Sequence, residues 1–311
     1  MDHRVLSVPA ALRERYVFTD GFTGCLKHRG WTLFEYRPIY TDPQVIHQRW
    51  LRAPSGRTYL DRDFYYLFGE WSFRALLRTL LVHDCVTTEQ VVAACPEATK
   101  RASYLVFLHD QEMLLHTKGG FKRGPALASL QDIGHTLEWW CAEWLRRTFA
   151  FPFGQVPVRH GVTLTGWARE GDPGDLDVVA FLGKSLLLLE CKTSLLAVDP
   201  PTRHLFFWRV VHLEPDLAVW LIDTPADQVE QYLAKVQRRI KRWQFTPVDG
   251  KESRGVYWND GQPIGVTHNT PGSEKQSVYC RAIVYIALSS EHNSLEHVLS
   301  TVLHHSFTHC M

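Results

Sequence analysis

The chain has 311 residues, a length that accommodates two domains of ordinary size or one domain with a small module. Its 34 basic residues almost balance its 33 acidic ones, so any contact with nucleic acid must use local basic patches rather than net charge. No apolar run approaches the roughly 20 residues of a membrane span, and no apolar stretch of a secretory signal follows the N-terminus, which disfavours membrane and secreted proteins. The seven cysteines are dispersed without C-x-x-C spacing, a pattern that disfavours a disulfide framework or a structural zinc site and favours a reducing cytoplasm.

Residues 1–71 combine turn-forming dipeptides with short candidate strands such as Trp31–Tyr36. No motif in this segment carries recognisable chemistry. We expect a small α+β segment with a scaffolding or dimerisation role.

Residues 72–127 show the element order of a winged helix-turn-helix. Leucines at helical spacing predict a helix over Ser72–His83, and Thr87 is a good N-cap for a second helix over Thr88–Ala94. A third helix begins at Pro96, and a hairpin follows at 113–123. The sequence therefore predicts a winged-helix-like module, and the competing interpretation is a helical connector that ends in a hairpin.

The third helix and the hairpin of this module carry basic side chains. These are Lys100, Arg101, Lys118, Lys122 and Arg123. We expect them to contact the DNA backbone, with Lys118 or Arg123 at the hairpin tip entering a minor groove. A solvated helix and hairpin is the alternative.

Residues 128–311 alternate between helical and strand patterns and predict an α/β domain. The predicted elements are a helix at 128–150, strands at about Val156–Trp167, Asp175–Leu182, Ser185–Thr193, Leu205–His212 and Leu217–Ile222, a helix at 224–243, a long loop at 245–276, a strand at Val278–Leu288 and a helix at Ser294–Leu303.

Acidic and basic side chains gather at one end of the predicted hairpin around residues 183–184. A two-residue Gly-Lys turn there sets Asp177 opposite Glu190 and Asp175 opposite Lys192, all on one face. Facing carboxylates repel, and a cation that prefers oxygen ligands, Mg²⁺ or Mn²⁺, would remove the repulsion. Lys192 would then orient or help to deprotonate a water. A structural ion pair between Asp175 and Lys192 is the competing interpretation.

Three stretches of the chain resemble the PD-(D/E)XK nuclease superfamily. They are Gly134-x-x-Leu137-Glu138 on the predicted helix, Asp175-Leu176-Asp177-Val178 on one strand and Leu189-Glu190-Cys191-Lys192-Thr193 on the next. Their sequences are most similar to those of the nuclease domains of CRISPR ancillary nucleases and, less closely, to those of Mrr-type restriction enzymes. The resemblance covers about residues 128–245, with 194–223 as an insertion. It implies a restriction-endonuclease-like core, which is a mixed sheet flanked by helices.

The resemblance also implies roles in phosphodiester hydrolysis for six residues of these stretches. Asp177 and Glu190 would be metal ligands, and the Cys191 carbonyl would complete the metal's coordination. Lys192 would position the attacking water and stabilise developing charge. Two further acidic residues are candidate metal ligands: Glu138, through water or on a second ion, and Asp175.

The predicted helix at 224–243 ends in a dense basic group. Its members include Lys235, Arg238, Arg239 and Arg242. They are candidates for phosphate contact beside the active site, although a cationic helix end that complements the helix dipole explains them equally well.

Together these features predict an Mg²⁺- or Mn²⁺-dependent deoxyribonuclease that acts in restriction or in defence against foreign nucleic acid. We expect a cytoplasmic protein without membrane contact, a homodimer if both DNA strands are cut, and a partner protein in a defence or mobile-element system. Two alternatives stay open. One is a partner- or ligand-activated nuclease on single-stranded DNA or RNA, which the near-neutral charge and the eleven tryptophans permit. The other is a non-catalytic DNA-binding or assembly protein with the same fold.

Overall fold

The computed structural model describes residues 22–29, 32–36, 64–128, 130–153, 156–165, 175–194, 199–225, 228, 245–248, 255–259, 263–268 and 276–309. The chain divides into two compact units, which we call the helical unit (residues 38–140) and the sheet unit (residues 1–37 and 141–311). The division falls within one long helix and differs from the boundaries expected after residues 71 and 127.

Helices and short strands dominate the first part of the chain. In chain order they are α1 Phe22–His28, β1 Thr32–Tyr36, α2 Phe64–Gly69, α3 Trp71–Val82, β2 Cys85–Val86, α4 Thr88–Ala94, α5 Ala98–Asp110, β3 Leu114–Thr117 and β4 Gly120–Arg123.

Strands of two to eight residues and three helices follow among the described residues. They are α6 Gly134–Phe153, β5 Val158–Thr165, β6 Leu176–Leu182, β7 Ser185–Lys192, α7 Pro200–Leu213, β8 Leu217–Asp223, β9 Thr246–Pro247, β10 Val256–Trp258, β11 Ile264–His268, β12 Gln276–Cys280, β13 Ile283–Ser289 and α8 Leu295–His309. None of the described helices is long and apolar enough to cross a membrane.

The helical unit contains the predicted helices and hairpin. Helices α3, α4 and α5 are followed by the β3–β4 hairpin, and β2 joins this hairpin in a three-stranded sheet of order β2-β4-β3. The predicted N-cap of α4 is confirmed, because Thr87 Oγ1 accepts the Gln90 amide while the Gln90 side chain accepts the Thr87 amide. Buried side chains of α3, among them Phe73, Leu76 and Leu77, form the core of this part of the unit.

An eight-stranded mixed sheet forms the centre of the sheet unit, with strand order β1-β5-β6-β7-β8-β13-β10-β9. Strands β5, β6 and β7 form an antiparallel meander, and β7, β8 and β13 run parallel to one another. Strand β1 pairs with β5 at one edge, so the N-terminal segment contributes to this sheet. A mixed sheet flanked by helices is thus the architecture of this unit.

The prediction of a strand at Leu205–His212 was wrong, since these residues belong to helix α7. Asp199 caps the helix by accepting the Thr202 amide, and Pro200 occupies the first helical position. In a nearly continuous apolar run, the spacing of apolar residues does not distinguish a buried strand from a buried helix. Helix α7 connects the parallel strands β7 and β8, a link that requires a crossover, so the segment at 194–223 is not an insertion in this sheet.

The structure differs in detail from two further predictions. The predicted loop at 245–276 contains the short strands β9, β10 and β11, of which β10 pairs with β13 in the main sheet. The predicted strand Val278–Leu288 is two strands, β12 and β13, separated at 281–282. Short strands that contain Gly and Pro carry little local signal, and long-range pairing forms them.

Helix α7 packs on one face of the sheet. Phe206 on α7 lies 4.9 Å from Trp220 on β8, measured between ring centroids, and both side chains belong to the buried core of the unit. Leu188 on β7 lies in the same core, so this face of β7 looks toward α7. The next residues of this face along β7 are Glu190 and Lys192.

Candidate functional site

The β6–β7 hairpin has the predicted register. Val178 pairs with Leu189 and Leu182 pairs with Ser185, which leaves a two-residue turn in which Gly183 has a φ of +67°. A positive φ suits glycine because it has no Cβ. The register brings Asp177 and Glu190 to the same end of the hairpin, beyond the last apolar pair.

Four charged residues form a network at this end, which we call the ionic cluster: Asp177, Glu190, Lys192 and Arg209. Lys192 Nζ lies 2.7 Å from Glu190 Oε1 and 3.5 Å from Asp177 Oδ2. Arg209, on α7, donates to the other carboxylate oxygen of Glu190 at 2.6 Å. A second nitrogen of Arg209 donates to the Asp175 carbonyl oxygen at 2.8 Å. The cluster therefore combines two cations with two carboxyl groups.

Asp177 is the more exposed of the two acidic side chains in the cluster. Its Oδ2 accepts the Cys191 amide at 2.6 Å, while no hydrogen bond to Oδ1 is found among the residues that the structure describes. The side chain is 12% exposed, so this carboxylate lies at the edge of the buried cluster. Burial, and then the charge of Glu190, raise the pKa of Asp177 to about 7.

This shift predicts a pH dependence of stability that Asp177→Asn removes. Folded Asp177 keeps its proton up to about pH 7, whereas the unfolded carboxyl releases it near 3.8. The folded state holds the extra proton across this window, so the free energy of unfolding falls as pH rises through it, by at most about 1.4 kcal/mol per pH unit. Urea unfolding of both proteins across the window measures this, and a difference in stability that is independent of pH would contradict the prediction.

Lys192 is a permanent cation in this environment. Burial acts to lower the pKa of Lys192, but the charges of Asp177 and Glu190 outweigh it and raise the pKa above its ordinary value. A lysine that keeps its proton donates hydrogen bonds and does not accept a proton from water. The raised pKa suits Lys192 as a positively charged hydrogen-bond donor, and its part in orienting or deprotonating a water stays a prediction.

Two electrostatic expectations differ from the observed network. Lys192 pairs with Glu190 and Asp177 and not with Asp175, which contacts Arg209 through its backbone carbonyl. Lys192 and Arg209 offset part of the repulsion between the facing carboxylates, and the charge of Glu190 still raises the pKa of Asp177.

Arg209 is the residue of the site that sequence reasoning missed. It stands in the apolar run Phe206–Val211, where an arginine is expensive to bury unless an acidic partner compensates it. That isolated charge was the available signal. Assigning Leu205–His212 to a strand hid it, because only a helix crossing over the sheet brings Arg209 to Glu190.

Cys191 lies between two members of the cluster but faces the opposite side of the sheet. Its Sγ lies 3.9 Å from Sγ of Cys141 on α6. Glu138 is a buried residue of α6, three positions before Cys141. The roles of Glu138, of Asp175 and of the Cys191 carbonyl as metal ligands stay predictions.

The donor set of the cluster fits a hard divalent cation. Among the described residues, no group of three or more His, Cys, Asp or Glu side chains is arranged to hold a metal ion. Mg²⁺, however, commonly takes only one or two carboxylates, while water and substrate phosphate complete its coordination. Asp177 and Glu190 would supply those two carboxylates. Glu190 also accepts hydrogen bonds from Lys192 and Arg209.

Arg123 has a structural position, not the predicted place at the hairpin tip. It pairs with Leu114 at the base of the hairpin. Its guanidinium donates to the carbonyl oxygens of Leu80 and Leu81, at the end of α3, at 3.3 and 2.6 Å. These carbonyls have no partner within their helix, so Arg123 satisfies the end of α3.

The other predicted basic residues differ in accessibility. Lys118, in the hairpin turn, and Lys122, on β4, are exposed. Lys100 pairs with Glu70 at 3.1 Å, and Arg101 donates to the carbonyl oxygens of Cys95 and Pro96, between α4 and α5. The basic group predicted near the end of the 224–243 helix lies outside the described residues: Lys235, Arg238, Arg239 and Arg242.

No family model matches the chain, and no curated protein matches it. Among solved structures, the chain is similar to protein VC1899 from Vibrio cholerae, with 16% sequence identity and a TM-score of 0.37. The match covers 71% of this chain and 62% of that protein, so the chain spans less than two thirds of its length.

Proposed function

We propose that the chain is a metal-dependent endonuclease that hydrolyses phosphodiester bonds in DNA. One observation carries the proposal: two carboxylates and a lysine converge at one end of adjacent strands, with Lys192 Nζ 2.7 Å from Glu190 and 3.5 Å from Asp177. Buried acids and a permanent cation at a partly exposed edge have the charge distribution that phosphoryl chemistry uses.

The surrounding sheet agrees with the core that the PD-(D/E)XK resemblance implies. Helix α6 leads into the β5–β7 meander, and α7 crosses to the parallel strand β8. In this arrangement Asp177 lies just before the residues of β6 that pair with β7, and Glu190 and Lys192 lie just after the paired residues of β7. The proposed catalytic residues therefore come from neighbouring strands whose register is fixed by a two-residue turn.

Each residue of the cluster has a distinct proposed task. Asp177 and Glu190 would hold Mg²⁺ or Mn²⁺, which when bound polarises a phosphoryl oxygen and acidifies a water. Lys192 donates a hydrogen bond to the oxygen on which negative charge develops. Its raised pKa keeps the Lys192 ammonium positively charged. Arg209 orients Glu190 from α7 and is a positioning residue.

Cleavage assays on plasmid DNA, single-stranded DNA and RNA test the proposal. We expect the wild-type protein to cut with Mg²⁺ or Mn²⁺ and to be inactive in EDTA, and we expect Glu190→Ala and Lys192→Ala to be inactive throughout. Lys184→Ala, in the exposed turn at the other end of the same hairpin, is the matched control and should cut normally. Equal cutting by wild type and Lys192→Ala would refute the assignment.

We further propose that the helical unit contacts DNA as a winged-helix-like module, supported by its element order and by exposed Lys118 and Lys122. Removal of one side chain that binds a phosphate reduces the slope of log affinity against log salt by about 0.9. The Lys118→Ala/Lys122→Ala double variant should therefore show a slope shallower by about 1.8 in fluorescence anisotropy with duplex DNA. Lys100→Ala, which removes an ammonium already paired with Glu70, should leave the slope unchanged. A wild-type slope in the double variant would contradict the proposed interface.

The position of Arg209 favours a second candidate function, that of a nuclease activated by a partner or ligand. In the ionic cluster, both oxygens of Glu190 accept from cations, Oε1 from Lys192 and Oε2 from Arg209. A metal ion at Glu190 would have to share a carboxylate oxygen with one of these donors or displace it. A binding event that moves α7 would release it, and the cleavage assay would then depend on the added partner or nucleic acid.

A further inference from the structure

Two buried thiols contact each other on the side of the sheet opposite the ionic cluster. Cys141 on α6 is fully buried and Cys191 on β7 is 7% exposed. Their Sγ atoms are 3.9 Å apart, which is van der Waals contact. Neither forms a disulfide, and the same holds for the other cysteines in the part of the chain that the structure describes.

We propose that Cys141 and Cys191 are an oxidative modification site, at which a two-electron oxidant of the peroxide class forms a disulfide. Each thiol loses its hydrogen and the two sulfur atoms bond. The O–O bond of hydrogen peroxide breaks, and peroxide is reduced to two molecules of water. A disulfide has an S–S length of about 2.05 Å, so the sulfur atoms must approach by roughly 1.9 Å from their present contact. Side-chain rotation combined with a small shift of β7 relative to α6 supplies this approach.

The disulfide would act on the ionic cluster because Cys191 is part of its framework. Glu190 and Lys192 are its chain neighbours, and its amide donates to Asp177 Oδ2. Cys191 faces α6 through its sulfur, whereas Glu190 faces α7 through Arg209. Drawing Cys191 toward Cys141 therefore pulls the end of β7 away from Arg209 and disturbs the hydrogen bonds at both carboxylates. We expect oxidation to suppress cleavage reversibly, an effect that rests on the proposed nuclease function.

Peptide mapping of the full chain after peroxide treatment tests the modification itself. The native protein is oxidised with hydrogen peroxide, the remaining thiols are alkylated, and the digest is analysed by mass spectrometry. We expect a peptide pair linked through Cys141 and Cys191, absent in the reduced sample and abolished by dithiothreitol. Exposed Cys85 reports that the oxidant has acted. Oxidation of Cys85 without any Cys141–Cys191 link would overturn the proposal.

Variants separate the thiol pair from the rest of the molecule. Cys141→Ala should resist loss of activity on peroxide treatment, while Cys280→Ala, which removes another buried cysteine, should respond as wild type does. If Cys141→Ala fails to fold, the linked peptide of the wild-type protein decides the question alone.

The two proposals fail in different ways. A linked peptide in a protein that cuts no nucleic acid in either redox state keeps the oxidation site and refutes the nuclease. Metal-dependent cutting by a protein that never forms the link keeps the nuclease and refutes the oxidation site.

Discussion

Asp177→Asn is expected to abolish metal-dependent cleavage while the protein stays folded. The asparagine carbonyl oxygen can accept the Cys191 amide that Asp177 Oδ2 accepts at 2.6 Å, so the hydrogen bond to β7 is retained. The substitution removes a carboxylate whose burial and proximity to Glu190 raise its pKa to about 7, so at neutral and higher pH the variant should be at least as stable as wild type. Without the negative charge, metal affinity and activity should fall by more than about 100-fold.

Time courses of plasmid cleavage, together with thermal unfolding, measure both parts of this expectation. The matched control is Asp199→Asn, at the N-cap of α7, where asparagine serves as well as aspartate. It should change neither activity nor stability. A folded Asp177→Asn protein that cuts DNA at the wild-type rate would remove Asp177 from the site.

Arg209→Met should cause the largest loss of stability, about 3–5 kcal/mol, because it leaves Glu190 buried with one cation. The side chains of Arg209 and Glu190 are 5% and 3% exposed, so water cannot replace the missing partner. Removing the charge of Glu190 as well should recover much of that stability. The Arg209→Met/Glu190→Gln double variant is therefore expected to be clearly more stable than the sum of the two single effects predicts.

Urea unfolding of the wild type, both single variants and the double variant measures this coupling. Arg147→Ala provides the comparison at the surface, since Arg147 pairs with Glu143 on α6 and its side chain is 38% exposed. Its removal should cost less than about 1 kcal/mol. Strictly additive effects of the Arg209 and Glu190 substitutions would show that the two side chains do not interact energetically.

The parts of the fold that local rules determine were predictable. The turn at 183–184 and the apolar runs on either side define the β6–β7 register, which the structure confirms from Val178 to Leu182. The cap at Thr87 and the leucine spacing of α3 likewise predicted the helices of the helical unit. Strand β1 was predicted as a strand, but its pairing with distant β5 depends on tertiary contacts that no local pattern encodes.

In the candidate site, too, local sequence patterns predicted some residues and missed those that depend on tertiary contacts. Alternation along the strands correctly grouped Asp177, Glu190 and Lys192. It failed for Asp175, because β6 begins at Leu176 and alternation no longer governs a side chain before the strand. The isolated charge of Arg209 was visible in the sequence, but its partner was not, since its contact with Glu190 exists only when α7 crosses the sheet.

Anomalous diffraction from crystals soaked in Mn²⁺ tests the proposed metal site most directly. We expect one manganese ion bound by oxygens of both Asp177 and Glu190, at distances of about 2.1 Å, with Glu190 released from at least one of its cationic partners. Asp177→Asn crystals soaked in the same way should lack the ion. Wild-type crystals with no manganese at these carboxylates, and with Glu190 still held by Arg209 and Lys192, would contradict the proposed metal site.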